Sequence, residues 1–101
     1  MKYREFSDLG WKVSELGLGC WGIGGGWTDV SRGTANKVLK TAIDSGVNFF
    51  DTADDYGHGE SEKIIGKYLN STKSKIYVST KIGSKPKPFF PENYNLNYLE
   101  K

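Results

Sequence analysis

Three side chains could together form a proton donor, namely Asp51, Tyr56 and Lys81. Asp51 ends a short apolar run, Tyr56 follows five residues later in a polar loop, and Lys81 ends a second apolar run over 76–80. A tyrosine hydroxyl ordinarily has a pKa of about 10, too high for an efficient acid near neutrality, and a neighbouring lysine ammonium lowers it. A buried carboxylate can hold that ammonium charged and aimed, because an unpaired buried charge is costly. These residue types therefore predict a tuned general acid.

Each of these residues also has an ordinary structural interpretation. Asp51 could form a turn or a helix cap, Tyr56 could pack a loop, and Lys81 could extend along the surface. Their positions at successive predicted strand ends favour the chemical interpretation. Parallel α/β folds place their chemistry outside the carboxyl ends of the strands, where Gly19-Cys20-Trp21 would also lie.

The elements that would position these residues follow from periodicity. Apolar residues with helical spacing predict an amphipathic helix capped by Thr34 and stopped by Gly46, and its buried stripe comprises Ala35, Val38, Leu39, Ala42 and Ile43. A second helix is predicted over Glu60–Leu69, with Ile64, Ile65, Tyr68 and Leu69 buried. Strands are predicted over 47–51 and 76–80, and a β-hairpin over 2–16 turns at Ser7–Gly10.

The spacing of the strand ends predicts the architecture. They fall near Gly19, Asp51 and Lys81, which are 32 and 30 residues apart, and each interval holds one helix. That spacing is typical of repeated βαβ units, so the fold class is α/β with a parallel sheet and right-handed crossovers.

The glycine-rich stretch 17–22 matches the pattern G-x-G-x-x-G, but a dinucleotide fingerprint requires a helix to start immediately. Here helical periodicity begins only near Thr34. The pattern instead favours a strand end that a ligand or a neighbouring segment approaches closely.

Composition narrows the function. The 101 residues suffice for one small domain, and a net charge of +2 without a basic stripe argues against nucleic-acid binding. The single cysteine, Cys20, excludes an internal disulfide and suits a reducing compartment. Since neither a signal core nor a membrane-spanning run is present, a cytoplasmic protein is expected. One histidine and one cysteine without ligand spacing predict no metal site.

The motifs resemble the N-terminal part of an aldo-keto reductase. The similarity covers about the first 83 residues and rests on four segments, 13–21, 46–62, 65–66 and 79–83. The resemblance implies a (β/α)8 TIM barrel with a capping β-hairpin, of which about three of eight βα units are present. Hairpin 2–16 would be followed by the first three strand ends with two helices over 17–83, and by a loop and the start of the next helix over 84–101.

The resemblance also implies site residues and partners. Tyr56 would be the general acid in the reduction of an aldehyde or ketone, with Asp51 and Lys81 as its tuning partners. NADPH would be the cofactor, and the residues lining its nicotinamide end would be Gly19, Cys20, Trp21 and Asp51. Trp21 and Tyr56 would line the pocket for a small carbonyl substrate. Relatives often carry a hydroxyl residue where Cys20 stands.

The family's fourth catalytic residue is a histidine at the end of the fourth strand. His58 does not match it and is expected to be an exposed loop residue. A full barrel needs about 250 residues, so the chain alone is expected to be incomplete, poorly folded and inactive without a complementing C-terminal part. The alternative is a non-catalytic truncated fragment or a cofactor-sensing regulatory subunit on the same fold.

Overall fold

The computed structural model describes residues 1–26, 28–83 and 96 and shows a partial α/β fold. Its elements in chain order are β1 (Tyr3–Phe6), β2 (Trp11–Ser14), β3 (Leu18–Gly19), α1 (Arg32–Asp44), β4 (Phe49–Asp51), α2 (Glu60–Leu69) and β5 (Tyr77–Ser79). The loop and helix start predicted over 84–101 lie outside the described residues, apart from Leu96. In the described part of the chain, neither helix is long and apolar enough to cross a membrane.

The predicted parallel sheet is present, with strand order β3-β4-β5. Its register pairs Gly19 with Asp51 and Asp51 with Ser79, so these residues lie side by side at the carboxyl edge. The pairing continues beyond the strands, because the Thr52 amide donates to the Ser79 carbonyl over 2.8 Å. Lys81 follows β5 by two residues, and its carbonyl accepts from the Asp54 amide over 3.2 Å. The predicted strand ends therefore meet at one edge.

Helix α2 has the predicted bounds, but α1 begins earlier than predicted. Thr34 is not its cap. Ser31 has an extended backbone and its Oγ accepts from the Thr34 amide over 3.1 Å, which makes it the N-cap. Gly46 ends the helix as predicted, with a left-handed φ of +92°.

The core lies between the two helices and the sheet. Its buried side chains are Cys20, Ile23, Ala35, Leu39, Phe50, Ile64 and Ile65, and partly buried Ala42, Ile43, Tyr68 and Leu69 pack against it. Val38 departs from the predicted buried stripe, since it is 37% exposed. It lies on a flank of α1 and lines an open groove of about 470 Å³ together with Leu18 and Val47. Helical spacing predicted the face correctly but could not show how much of it the sheet covers.

The predicted hairpin is confirmed and lies at the amino end of the sheet. Strands β1 and β2 pair antiparallel, and Asn48, just before β4, holds β2 in place. The Asn48 Oδ1 accepts from the Ser14 amide over 2.7 Å, and the Ser14 Oγ accepts from the Asn48 amide over 3.1 Å. Trp11 stacks on Tyr77 of β5, with ring centroids 4.7 Å apart. The hairpin is therefore at the opposite end of the sheet from Asp51.

Candidate active site

The ammonium of Lys81 is the centre of the site at the carboxyl edge. Its Nζ lies 3.0 and 3.2 Å from the two carboxylate oxygens of Asp51, 2.8 Å from the Thr52 carbonyl and 3.3 Å from the Tyr56 hydroxyl. An ammonium has three hydrogens, and here three residues accept them. Because the nitrogen has no lone pair to offer, the Tyr56 oxygen must be the acceptor of its hydrogen bond. The phenolic hydrogen therefore stays available for another acceptor.

The charge of Lys81 is favoured by these neighbours. The hydrogen bond to Asp51 raises the pKa of Lys81 above its ordinary value, partial desolvation opposes this, and the hydrogen bond to Tyr56 adds to it. Among the described residues this carboxylate is not buried, because the side chains of Asp51 and Lys81 are both 45% exposed. Water screens an ion pair at such exposure, so the pair contributes little to stability. The contact between the two side chains is therefore defined by its hydrogen-bond geometry rather than by burial.

Tyr56 is half-buried, and the Lys81 Nζ lies 5.0 Å from its ring centroid. Its loop is fixed by close packing between Gly24 and Gly57. A Cβ on Gly57 would lie 1.9 Å from the Gly24 carbonyl oxygen, and a Cβ on Gly24 would lie 3.0 Å from the Tyr56 carbonyl oxygen. At Gly57, with its left-handed φ of +60°, a side chain has no room, and a Cβ on Gly24 would require the neighbouring backbone to shift. Within the segment 17–22, for which a close approach was predicted, a Cβ on Gly17 would lie 2.9 Å from the Phe49 ring.

Two of the residues predicted to contact a cofactor are open to the carboxyl edge. Gly19 lies beside Asp51, and a Cβ added to it would meet no atom within 4 Å. Trp21 is 41% exposed, and its indole lies so close to Gly26 that a Cβ there would be 2.4 Å from the ring. The site therefore combines charged, hydrogen-bonding and flat aromatic groups around open space.

Cys20 is placed differently. Its side chain is fully buried in the core, and its Sγ donates to the Leu18 carbonyl over 3.4 Å. Burial, and secondarily the negative charge of Asp51, raise the pKa of the Cys20 thiol to about 12. The thiol therefore lies in the core rather than on the exposed face of the site, although it is close enough to Asp51 for that charge to affect it.

His58 is exposed in the loop after Tyr56, as expected, and has a left-handed φ of +55°. Within residues 1–26 and 28–83, no group of three acidic, histidine or cysteine side chains could hold a metal ion.

Sequence reasoning missed two residues behind the site, Thr52 and Ser61. The Thr52 carbonyl accepts the shortest hydrogen bond of Lys81, and the buried hydroxyls of Thr52 and Ser61 lie 2.8 Å apart. The sequence did contain a signal for Ser61. A serine near the start of a helix is favoured at the N-cap, so a serine inside the first turn calls for another role for its hydroxyl. Here Ser61 lies inside the helix, where its hydroxyl faces the core.

The family model described as Aldo/keto reductase family matches residues 15–100. The aldo-keto reductase YhdN of Bacillus subtilis is 36% identical over 84 residues, covering 80% of this chain and 25% of that protein. The pyridoxal 4-dehydrogenase of Microbacterium luteolum is 38% identical over 80 residues, covering 79% of this chain and 23% of that protein.

Solved structures agree with the sequence matches. An aldo-keto reductase from Bacillus halodurans in its holo form superimposes with a TM-score of 0.70 at 32% identity, covering 82% of this chain and 26% of that one. A glycerol dehydrogenase from Gluconobacter oxydans gives a TM-score of 0.72 at 32% identity, and the match covers 81% of this chain and 25% of that one. The chain thus spans about a quarter of the length of these relatives.

Proposed function

This chain belongs to the aldo/keto reductase family, and we propose that it carries the proton-donating part of an NADPH-dependent reductase of aldehydes or ketones. The observation that carries the proposal is the hydrogen bond from the Lys81 Nζ to the Tyr56 hydroxyl, with Lys81 held by Asp51. This is the arrangement that a tyrosine general acid requires.

The proposed chemistry uses the three side chains in distinct roles. Tyr56 donates its proton to the carbonyl oxygen of the substrate, which becomes the hydroxyl of the alcohol product. Lys81 stabilises the phenolate left on Tyr56, because its N–H already points at that oxygen. Asp51 keeps the ammonium aimed by accepting from it with both carboxylate oxygens. NADPH, when bound, supplies the hydride that reduces the carbonyl carbon.

The residues at this edge fit a nicotinamide cofactor. The open space over Gly19 admits a ring close to the backbone, and Asp51 beside it offers carboxylate acceptors for hydrogen bonds. The exposed indole of Trp21 provides apolar surface for the cofactor or the substrate. Cys20 can take part only through its backbone in the described arrangement, because its side chain is buried.

We also propose that these elements form the first part of a (β/α)8 barrel and work with a complementing C-terminal part. Strands β3 and β5 each have a neighbour on one side only within the described residues. Exposed apolar side chains on this part of the chain include Leu16, Val38, Val78 and Ile82. Burying such surface requires further polypeptide. A free, buried cysteine accords with a reducing compartment, and we place the protein in the cytoplasm.

The proposal can be tested by joining this chain to the C-terminal part of a related reductase. Residues 1–83 are fused to the corresponding remainder of the Bacillus halodurans reductase, and NADPH oxidation with a small aldehyde is followed by absorbance. We expect turnover by the fusion, a loss of about 10²- to 10⁴-fold in Tyr56→Phe, and no turnover by the chain alone. Tyr68→Phe is the matched control, since this half-buried tyrosine lies on α2.

Two results would contradict the proposal. Turnover that survives in Tyr56→Phe would remove Tyr56 from the role of acid. A folded fusion that binds NADPH, measured by fluorescence titration, but reduces no carbonyl would favour the non-catalytic, cofactor-sensing alternative.

A further inference from the structure

Behind the site lies a buried pair of hydroxyls that the proposed chemistry does not use. Thr52 is 1% exposed and Ser61 is 0% exposed. Their oxygens lie 2.8 Å apart, and the Ser61 Oγ donates to the Cys20 carbonyl over 2.8 Å. Since serine has one hydroxyl hydrogen, the Thr52 hydroxyl must donate to Ser61. The two side chains thus form a directed chain of hydrogen bonds from β4 to the end of β3.

The backbones of Thr52 and Ser61 also form hydrogen bonds with Lys81 and Tyr56. The Thr52 carbonyl accepts from the Lys81 Nζ over 2.8 Å, and the Ser61 amide donates to the Tyr56 carbonyl over 3.1 Å. The Thr52 amide is also fixed, because it donates to the Ser79 carbonyl over 2.8 Å. The Thr52 N–H and C=O belong to the two successive peptide groups on either side of its Cα, so each of these peptides is held by its own hydrogen bond.

These backbone hydrogen bonds matter because the Lys81–Asp51 ion pair alone is too weak to fix the position of the ammonium. Both side chains are 45% exposed, so water screens their attraction. A lysine side chain also loses considerable rotamer freedom when it is held in one geometry. Among the described residues, the Thr52 carbonyl is the one acceptor of Lys81 that belongs to the backbone, and Thr52 is 1% exposed.

We propose that Thr52 and Ser61 are positioning residues, whose paired hydroxyls fix the Thr52 carbonyl and thereby hold the Lys81 ammonium against the Tyr56 hydroxyl. The mechanistic part of this inference rests on the proposed function, whereas the placement of Lys81 is measurable without turnover. If the two hydroxyls served only to form hydrogen bonds within the core, removing them would leave the hydrogen exchange of the Lys81 ammonium unchanged.

The first test observes Lys81 directly. In the folded fusion labelled with 15N-lysine, NMR gives the rate at which the Lys81 ammonium hydrogens exchange with water, and Lys81→Arg assigns the signal. Thr52→Val removes one hydroxyl and Ser61→Ala removes the other. We expect exchange to become about fivefold faster in both, the factor that one net hydrogen bond is worth. If Thr52→Val does not fold, Ser61→Ala provides the same measurement.

Matched controls separate positioning from general damage. Thr52→Ser keeps the donor and should exchange at the wild-type rate. Ser71→Ala removes an exposed serine hydroxyl near the other end of α2, which donates to the Tyr68 carbonyl over 2.7 Å, and should also leave Lys81 unchanged. Wild-type exchange in folded Thr52→Val or Ser61→Ala would overturn the proposal.

The second test uses the pH profile of the fusion. A less constrained Lys81 stabilises the Tyr56 phenolate less, so the alkaline limb of kcat should move to higher pH in Thr52→Val, while Thr52→Ser restores it. An unmoved limb, with slower turnover at every pH, would refute positioning. A fusion that never turns over would count against the proposed function alone, because the exchange measurement still decides the role of the hydroxyl pair.

Discussion

Gly57→Ala tests whether the packing of two glycines determines where Tyr56 lies. Gly57 has a φ of +60°, and an added Cβ would lie 1.9 Å from the backbone oxygen of Gly24. The left-handed conformation costs a residue with a side chain about 1–2 kcal/mol. Overpacking adds about 1–3 kcal/mol, because the neighbour here is backbone and cannot rotate away. We therefore expect the free energy of unfolding to fall by about 2–5 kcal/mol.

Gly10→Ala is the matched control, since Gly10 has a φ of +68° but no atom lies within 4 Å of the added Cβ. It should lose only the conformational part, about 1–2 kcal/mol. Urea unfolding of the fusion followed by circular dichroism measures both variants. Equal losses in the two would refute the reasoning, because they would show that the Gly24 contact imposes no constraint.

The same substitution should affect turnover. Restoring an acceptable distance requires the loop to move by about 1 Å, and a misplacement of that size can reduce catalysis by roughly 10²-fold. Gly10→Ala, in the hairpin turn at the other end of the sheet, should leave kcat unchanged. A Gly57→Ala enzyme with wild-type kcat would show that Tyr56 is not positioned by this loop.

Three further predictions concern the core and α2. Cys20, with its pKa raised to about 12, should react with iodoacetamide at pH 8 about 10³-fold more slowly than a free thiol, since only the thiolate reacts; rapid labelling of the folded protein would contradict its burial. Its contribution to stability is complete below the ordinary value of 9.0 and is lost as the pH rises from there towards 12, so Cys20→Ala should flatten the pH dependence of urea unfolding in that range. Gly66→Ala should raise the free energy of unfolding by about 0.5–1 kcal/mol, because Gly66 lies in the interior of α2 and an added Cβ would meet no atom within 4 Å. A loss of stability in the urea measurement would show that this part of α2 is more crowded than the structure indicates.

Sequence patterns predicted those structural features that depend on one short segment of the chain. The bounds of α2 agree with its periodicity, and the Gly46 stop lies where glycine's left-handed freedom is needed. The parallel direction of the strands follows from the length of the crossovers, because each interval holds one helix. That parallel direction is also why Asp51 and Lys81 could be placed at the same edge from sequence.

Choices between similar local alternatives were less predictable. Ser31 and Thr34 are both good capping residues, and the backbone conformation at Ser31 decided between them. Exposure could not be predicted either, because it depends on what packs over a residue. Val38 shares the apolar face of α1 but lies at the flank that the described sheet does not cover.

The sequence by itself determined the residue types of the site and the edge of the sheet at which they meet. The spacing of the strand ends is a one-dimensional property, and with the parallel direction that it implies it sufficed to place Asp51, Tyr56 and Lys81 at one edge. Only the tertiary structure decided that Asp51 is half-exposed, that the Cys20 thiol is buried, and that the Thr52 carbonyl accepts a hydrogen bond from Lys81. Burial and backbone acceptors depend on how distant segments pack, and every residue has a carbonyl, so no residue type in the sequence identifies them.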